Sequence, residues 1–300
     1  MSVTVRSATP DDLPRIVSCL DEEFVFGKNR QISLALRYPS VYCPANANNI
    51  FLLEDERGIL SCVAAKPLRL QCENNHWQGM MIGAVYTRPD RRGQHLGSEL
   101  LAKATRELRD RQMDFAVLWT AQPGFYARLG WNPSDTGVFG QCEGQPAAHP
   151  FDGEMAELPP SASMSARVES IRQQQREFRT LRTDDDYRTL PLPAVTTQVL
   201  VTGTKPANDS YALIGRLQDT AIVYEMAGHP SGYATLWNEI CRGHKKILVN
   251  DSAGSRSCQW LSRNTNVIFE TKSLAMWQLF SEKLNPANTG QWYIPYFDRI

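Results

Sequence analysis

The chain has 300 residues, 42% of them hydrophobic and 21% charged, enough apolar material for one sizeable core or two, and two domains are the default at this length. Lys+Arg and Asp+Glu both number 32, so the formal net charge is zero and no global field selects nucleic acid or an anionic membrane as partner. No apolar run approaches the ~18 residues of a membrane span, the N-terminus lacks the apolar core of a signal peptide, and the seven scattered cysteines never take C-x-x-C spacing; the expectation is a cytoplasmic protein without a metal site or a disulfide framework, most of its thiols buried.

In chain order, Val3 to Arg6 alternates as a short strand, and Thr9-Pro10-Asp11-Asp12 caps a helix running to about Phe24. An amphipathic piece from about Asn29 to Arg37 ends before Pro39. A strand follows from Ile50 to Leu53, and the turn Asp55-Glu56-Arg57-Gly58 returns the chain as a second strand through Cys62 to Ala65. Met80 to Val85 reads as a buried strand. Behind it, residues 87 to 98 read Thr-Arg-Pro-Asp-Arg-Arg-Gly-Gln-His-Leu-Gly-Ser and open a segment with Leu96, Leu100, Leu101, Ala104 and Leu108 on one helical face. Phe115 to Trp119 is a continuous apolar run, as expected for a parallel strand covered on both faces, and Pro123-Gly-Phe-Tyr-Ala-Arg-Leu-Gly-Trp131 follows it.

Residues 144 to 165 are rich in Pro, Ser and Ala with little periodicity and read as an interdomain connection. Beyond them a charged helix is expected from Arg167 to Arg182, and strands near Gln198 to Val201, Tyr211 to Leu217 and Ala221 to Met226. Gly228-His-Pro-Ser-Gly232 precedes a helix from Tyr233 to Cys241, and Lys246 to Asn250 is another apolar strand. The second half thus repeats strand, loop, helix, strand, but without paired arginines in the loop.

The loop at 87 to 98 carries the chemistry. At a strand-to-helix junction the first helical N–H groups have no partner within the helix, and the macrodipole adds positive potential there. Arg91 and Arg92 add charge, and Gly93 and Gly97 let the backbone approach a ligand closely, an arrangement suited to pyrophosphate.

These residues resemble motif A of the GCN5-related N-acetyltransferases (GNATs), R/Q-x-x-G-x-G/A, with Arg92 and Gly97 in place, Thr87 and Pro89 leading in, and His95 where the family has its middle glycine. Phe125 to Trp131 resembles the family's motif B, F-Y-x-x-x-G-F, at the right distance. The resemblance implies an α/β fold with a mixed (α+β) sheet, the acyl-CoA N-acyltransferase fold. The favoured arrangement is two tandem copies, an acetyl-CoA-binding domain over 1–143, a linker over 144–165 and a degenerate second copy over 166–300, with an unrelated α+β second domain as the alternative. Such a tandem resembles the enhanced-intracellular-survival acetyltransferases, although the chain is too short for the sterol-carrier-like third domain of that group.

By resemblance, the cofactor is acetyl-CoA, held by Val85, Thr87, Arg91, Arg92, Gly93, Gln94, His95, Leu96, Gly97 and Ser98, with backbone N–H groups from Val85 to Thr87 polarising the thioester carbonyl. The acceptor is a small-molecule or peptide amine, and Tyr126 is the proton donor to the leaving sulfur, since a phenol is neutral at pH 7. The general base stays open between water, the C-terminal carboxylate, Glu22, Glu23 and His76. The acids Asp21, Glu22 and Glu23 either attract a cationic acceptor or form a solvated helix face, the latter being favoured. His95 either crowds the phosphate, bonds to it as imidazolium, or points away, the last being favoured because backbone N–H groups supply the anion site. The competing function is a non-catalytic module that binds a ligand or partner on the same scaffold.

Overall fold

The computed structural model describes residues 3–144, 150–158, 160–174, 178–189, 196–203, 208–272, 274–282, 284 and 292–300. Its first sheet starts with β1 (Thr4–Ser7), β2 (Ile50–Asp55), β3 (Gly58–Cys72) and β4 (Asn75–Thr87), joined antiparallel in that order. β3 and β4 form a long hairpin, reaching well past the Ala65 and Met80 limits read from the apolar runs. Along β3 the residues Cys62, Ala64, Lys66, Leu68 and Leu70 share one face by the two-residue period, and Val63 and Ala65 share the other.

The second face takes α3 (Leu96–Asp110), whose Leu100, Leu101, Ala104 and Leu108 are buried against Phe51, Val63, Met80 and Ile82. The first face takes α1 (Leu13–Phe24) and the short α2 (Leu34–Arg37), through Ile16, Leu20 and Leu34. Asp21 is buried and accepts the Leu34 N–H at 2.8 Å, tying α1 to α2. Of the three acids read as a solvated face, therefore, only Glu22 is exposed; the Leu34 N–H, a donor without an acceptor inside α2, is what draws Asp21 inward. Residues 29 to 33, expected to be helical, are not, and Asn29 takes the left-handed conformation that ends the preceding 3-10 turn.

β5 (Phe115–Trp119) lies parallel to β4, but only Gly79, Met80 and Met81 pair with it, opposite Phe115, Ala116 and Val117. Gly79 is required here: a Cβ would stand 2.5 Å from the Phe115 carbonyl oxygen and 2.6 Å from its ring. From residue 82 onward β4 and β5 diverge. At the divergence β4 carries a bulge, Ala84 and Val85 facing Val63 alone, with Ala84 at φ 42°.

α4 (Pro123–Ala127) and β6 (Asn132–Pro133) follow, then β7 (Gly137–Glu143). The second sheet contains β8 (Glu154–Glu157), β10 (Thr196–Thr202), β11 (Ser210–Leu217), β12 (Thr220–Gly228), β13 (Lys246–Ser252) and β14 (Ile268–Thr271), with β9 (Arg179–Thr180) attached to β3 of the first sheet. Its helices are α5 (Ala162–Gln173), α6 (Asp184–Arg188), α7 (Tyr233–Cys241) and α8 (Arg256–Asn264). The Arg167–Arg182 helix is displaced: Ser161 accepts the Met164 N–H as an N-cap, so the helix starts at Ala162 inside the Pro/Ser-rich stretch, and Arg179 and Thr180 are in a strand.

The two sheets exchange strands. β7 pairs with β13 and β14 in the second sheet, while β15 (Ala275–Leu279) pairs with β5 and β6 in the first. The orders are β1-β2-β3-β4-β5-β15-β6 and β14-β7-β13-β12-β11-β10-β8. Each sheet has one parallel pair, β4/β5 or β12/β13, and beside it a strand supplied by the far half of the chain. Counted by position, β7 falls within 1–143, β15 within 166–300, and β8 within 144–165, so neither sheet is one continuous stretch of chain.

All seven cysteines are described and none is in a disulfide; Cys62, Cys241 and Cys258 are buried and the other four partly exposed, fewer buried thiols than composition suggested. Among the described residues no helix is long and apolar enough to cross a membrane.

Candidate active site

Where β4 and β5 part, the sheet opens a cleft of about 790 Å³. Its floor is the unpaired end of β4, Val85 to Thr87; one wall is the loop and first turn of α3; the opposite wall is α4 and the segment 119–122. Of the cofactor residues read from sequence, Val85, Thr87, Arg91, Arg92, Gly93, His95, Leu96, Gly97 and Ser98 all line this cleft, and so does Tyr126. Gln94 does not; it is exposed at the tip of the turn.

The loop geometry follows from its glycines and from one non-glycine. Gly93 has φ 76° and nothing within 4 Å of a Cβ position, so its left-handed backbone leaves open space on the cleft side. Gly97 is in close contact with the strand end: a Cβ there would lie 2.6 Å from Thr87 Oγ1. His95 is the residue before α3 and adopts the left-handed conformation, φ 62° and ψ 5°. That is why the family pattern has glycine at this position, and His95 occupies it at the cost of a backbone conformation unfavourable for an L residue. The His95 side chain is exposed and makes no capping bond to the helix. Its carbonyl accepts from Ser98 Oγ at 2.7 Å, leaving the first backbone N–H groups of α3 to face the cleft without side-chain caps.

The two arginines are held differently. Arg92 Nε donates to the Thr87 carbonyl at 3.2 Å, and its NH2 lies 2.7 Å from Glu23 Oε2. Arg91 is 3.9 Å from Asp55, and its buried Nε makes no hydrogen bond. Arg91 Nε also lies 3.8 Å from Asp90 Oδ2, so an incoming diphosphate would compete with Asp90 for Arg91 and with Glu23 for Arg92. Cleft volume, glycine clearance and basic donors together fit a coenzyme A pyrophosphate and pantetheine arm.

Tyr126 packs edge-on against Phe125, 4.9 Å between centroids, and against Trp131 at 6.3 Å. Burial pushes its phenol above the ordinary value, so it is protonated at neutral pH. Its hydroxyl has no hydrogen-bond partner among the described residues.

The base candidates separate by position. Glu23 lines the cleft but is engaged by Arg92. His76 is at the opposite end of β4, paired with Gln71, eleven residues from Thr87 and roughly 35 Å away at the rise of a strand. Ile300 lies against the divergence point, where a Cβ on Gly83 would be 3.1 Å from its side chain. Sequence reasoning missed Phe24, Lys28, Trp119 and Arg128, which also line the cleft. Trp119 was legible as a strand end but not as a cleft residue; Arg299, stacked 5.2 Å over its ring, comes from 180 residues further on.

The family model for the acetyltransferase (GNAT) domain matches residues 4–134. No curated protein matches the sequence. Among solved structures, a GCN5-related N-acetyltransferase from Anabaena variabilis superposes with a TM-score of 0.71 at 12% identity, covering 93% of this chain and 73% of that one. Eis1 from Mycobacterium abscessus gives 0.64 at 13%, covering 93% and 74%. Saccharomyces cerevisiae N-myristoyltransferase, solved with bound myristoyl-CoA, gives 0.53 at 10%, covering 92% and 82%. These likenesses extend across both sheets and show the fold. The domain match covers residues 4–134, the part of the chain that contains the cleft, so the chain has the fold of the GNAT proteins and these residues are similar in sequence to the acetyltransferase (GNAT) domain.

Proposed function

We propose that the protein transfers an acetyl group from acetyl-CoA to a primary amine by direct attack. The observation that carries this is the junction of a diverging β4/β5 pair with an uncapped, arginine-flanked helix start and a buried phenol on the other wall of one cleft. Bound acetyl-CoA would supply an activated acyl carbon and a thiolate leaving group. The N–H groups at the start of α3, with Arg91 and Arg92, hold the diphosphate. The unpaired β4 backbone at Val85 to Thr87 polarises the thioester carbonyl as fixed dipoles, which need no reorganisation as charge develops. The neutral amine forms the C–N bond, the C–S bond breaks, and Tyr126 delivers its proton to the departing sulfur; the proton lost by the amine restores the phenol through solvent. The second sheet, in this reading, is a degenerate copy of the first without a cofactor site.

The test is calorimetry with acetyl-CoA, followed by coenzyme A release with a panel of amines. Micromolar binding and amine-dependent release are expected. Absence of binding to the folded chain would leave the scaffold as a ligand- or partner-binding module.

A further inference from the structure

On the face of the first sheet opposite α3 lies a second cavity, about 340 Å³, between the α1/α2 side and segments of the chain's second half. Lys66, Arg69, Met81, Arg182 and Asp186 are among its walls. Met81 is the last β4 residue paired with β5, and the next residue of β4 on that face is Gly83, against which Ile300 rests. The cavity therefore approaches the divergence point from the side away from the phosphate loop. From Met81 to Val85 is four residues, on the order of 10 Å along a bulged strand.

The wall is unbalanced in its donors. Asp298 accepts from Arg182 Nε at 2.7 Å, from Arg182 NH2 at 2.8 Å and from Thr180 Oγ1 at 2.6 Å, so its lone pairs are used. Asp186 accepts the Thr183 N–H and hydroxyl at 2.7 and 2.8 Å and sits 3.7 Å from Lys66, a long pair. On the basic side, Arg69 is exposed and has no ion pair among the described residues, and the NH1 of Arg182, a side chain only 1% exposed, has no hydrogen-bond partner. In the main cleft the lone lining carboxylate, Glu23, is occupied by Arg92. An anion entering the second cavity would meet Arg69, which has no ion pair among the described residues, and Lys66, whose pair with Asp186 is long, above an Arg182 already held by Asp298 and Glu225.

We infer that this cavity holds the anionic end of the acceptor, which is an amine carrying a carboxylate two or three residue-lengths away, as in a di- or tripeptide. The inference rests on the acyl-transfer reading, because it places the amine at the β4/β5 divergence. Lys66 and Arg69 pair with the carboxylate, and Arg182 forms the basic floor beneath them.

The experiment uses the full chain with acetyl-CoA and compares triglycine, triglycinamide and spermidine by initial rates of coenzyme A release, alongside calorimetry of triglycine binding. The expected result is a kcat/KM for triglycine about tenfold or more above triglycinamide, the scale of a charge-assisted pair, with the ratio falling toward one in Lys66→Met and Arg69→Ala. Both substitutions are at partly or fully exposed positions, and circular dichroism checks that the fold persists. A ratio near one, a ratio that survives both substitutions, or a preference for spermidine overturns the inference. If triglycine binds with the expected dependence on Lys66 and Arg69 but coenzyme A is never released, the cavity assignment stands and the acyl-transfer reading fails. Turnover of amines without carboxylate preference gives the reverse, and neither binding nor turnover removes both.

Discussion

The two sheets part their strands in the same way and use the opening differently. In the first, β4 leaves β5 after Met81, the bulge residues are Ala84 and Val85, and the result is a cleft of about 790 Å³. In the second, β12 leaves β13 after Val223, the bulge residue is Tyr224, and the space left is about 70 Å³. Tyr224 is stacked on Tyr296 at 5.3 Å and meets Phe297 edge-on at 4.4 Å, so the end of the chain covers the second opening. The helix start differs as well. Residues 228 to 232 before α7 contain no arginine or lysine and are tied to the protein by Ser210 Oγ bonding to the His229 carbonyl and Tyr233 OH to the Gly228 carbonyl. Topology makes an opening in both places; side-chain volume and charge decide which one can take a ligand. Substitutions at the closed opening should therefore appear as stability changes, and substitutions at the open one as changes in binding or rate.

The largest effect is expected at Arg182. Its guanidinium is buried between Asp298 and Glu225, and although burial disfavours ionising Asp298, Arg182 holds that carboxyl below the usual range. Arg182→Met leaves the buried Asp298 and the half-buried Glu225 short of their partner, and unfolding in urea should lose about 3–5 kcal/mol. A loss under about 1 kcal/mol would mean that the Arg182, Asp298 and Glu225 network contributes little to the fold.

Tyr126→Phe tests the open side. The ring contacts with Phe125 and Trp131 are kept and only the hydroxyl, which has no partner among the described residues, is removed. With acetyl-CoA and a competent amine, kcat should fall by roughly 10- to 1000-fold with stability and acetyl-CoA affinity nearly unchanged. Wild-type turnover would make Tyr126 a packing residue.

How much of this was legible in the sequence depends on how local each feature is. The loop before α3 and the helix itself are encoded within about twenty consecutive residues, by glycines, arginines and a 3–4 periodicity, and nine of the ten positions proposed to hold the cofactor line one cleft. The strand exchange was not legible, because β7 and β15 carry no local mark of which sheet they join; β15 is placed by Trp277 packing on Phe115 and Trp292, contacts far apart in sequence. The start of α5 was hidden because Pro, Ser and Ala suggest a linker by composition, whereas a single Ser161 cap sets the helix. Ion pairing of Glu23 with Arg92 and the inward turn of Asp21 are likewise tertiary, and acids on one helix turn gave no sign of them.

Asp251 offers a pH-dependent contrast between the two openings. Burial pushes its carboxyl up to about 6, against the charge-favouring bonds from Ser257 Oγ at 2.6 Å and the Ser252 N–H. Because the folded value lies above the ~3.9 of an unfolded Asp, the folded state binds the proton more tightly. Stability contributed by this group is thus present at low pH and is lost as pH rises through about 6. Asp251→Asn, which keeps the shape and avoids the charge, should be more stable than the parent by about 1–2 kcal/mol at pH 7.5 and equal to it below about pH 4. An equal difference at both pH values would show that the second opening is wetter than its 70 Å³ suggests.

The smallest effect is expected at His95, where the sign distinguishes three roles. The residue stands at φ 62°, a conformation that glycine adopts freely and histidine does not, so His95→Gly should relieve backbone strain. Part of that gain is offset because glycine adds freedom to the unfolded chain, leaving a stabilisation of about 0.5–1 kcal/mol. Affinity for acetyl-CoA is a separate question. If the imidazole crowded the diphosphate, its removal would tighten binding; if the ring bonded to the phosphate, removal would weaken it. The side chain is exposed and uncapped, and the anion-facing groups are the backbone N–H donors at the start of α3, so acetyl-CoA affinity should change by less than about tenfold, equal to ~1.4 kcal/mol, at pH 6 and at pH 8. Calorimetry at the two pH values decides it, and a larger shift in either direction would put the imidazole in contact with the phosphate.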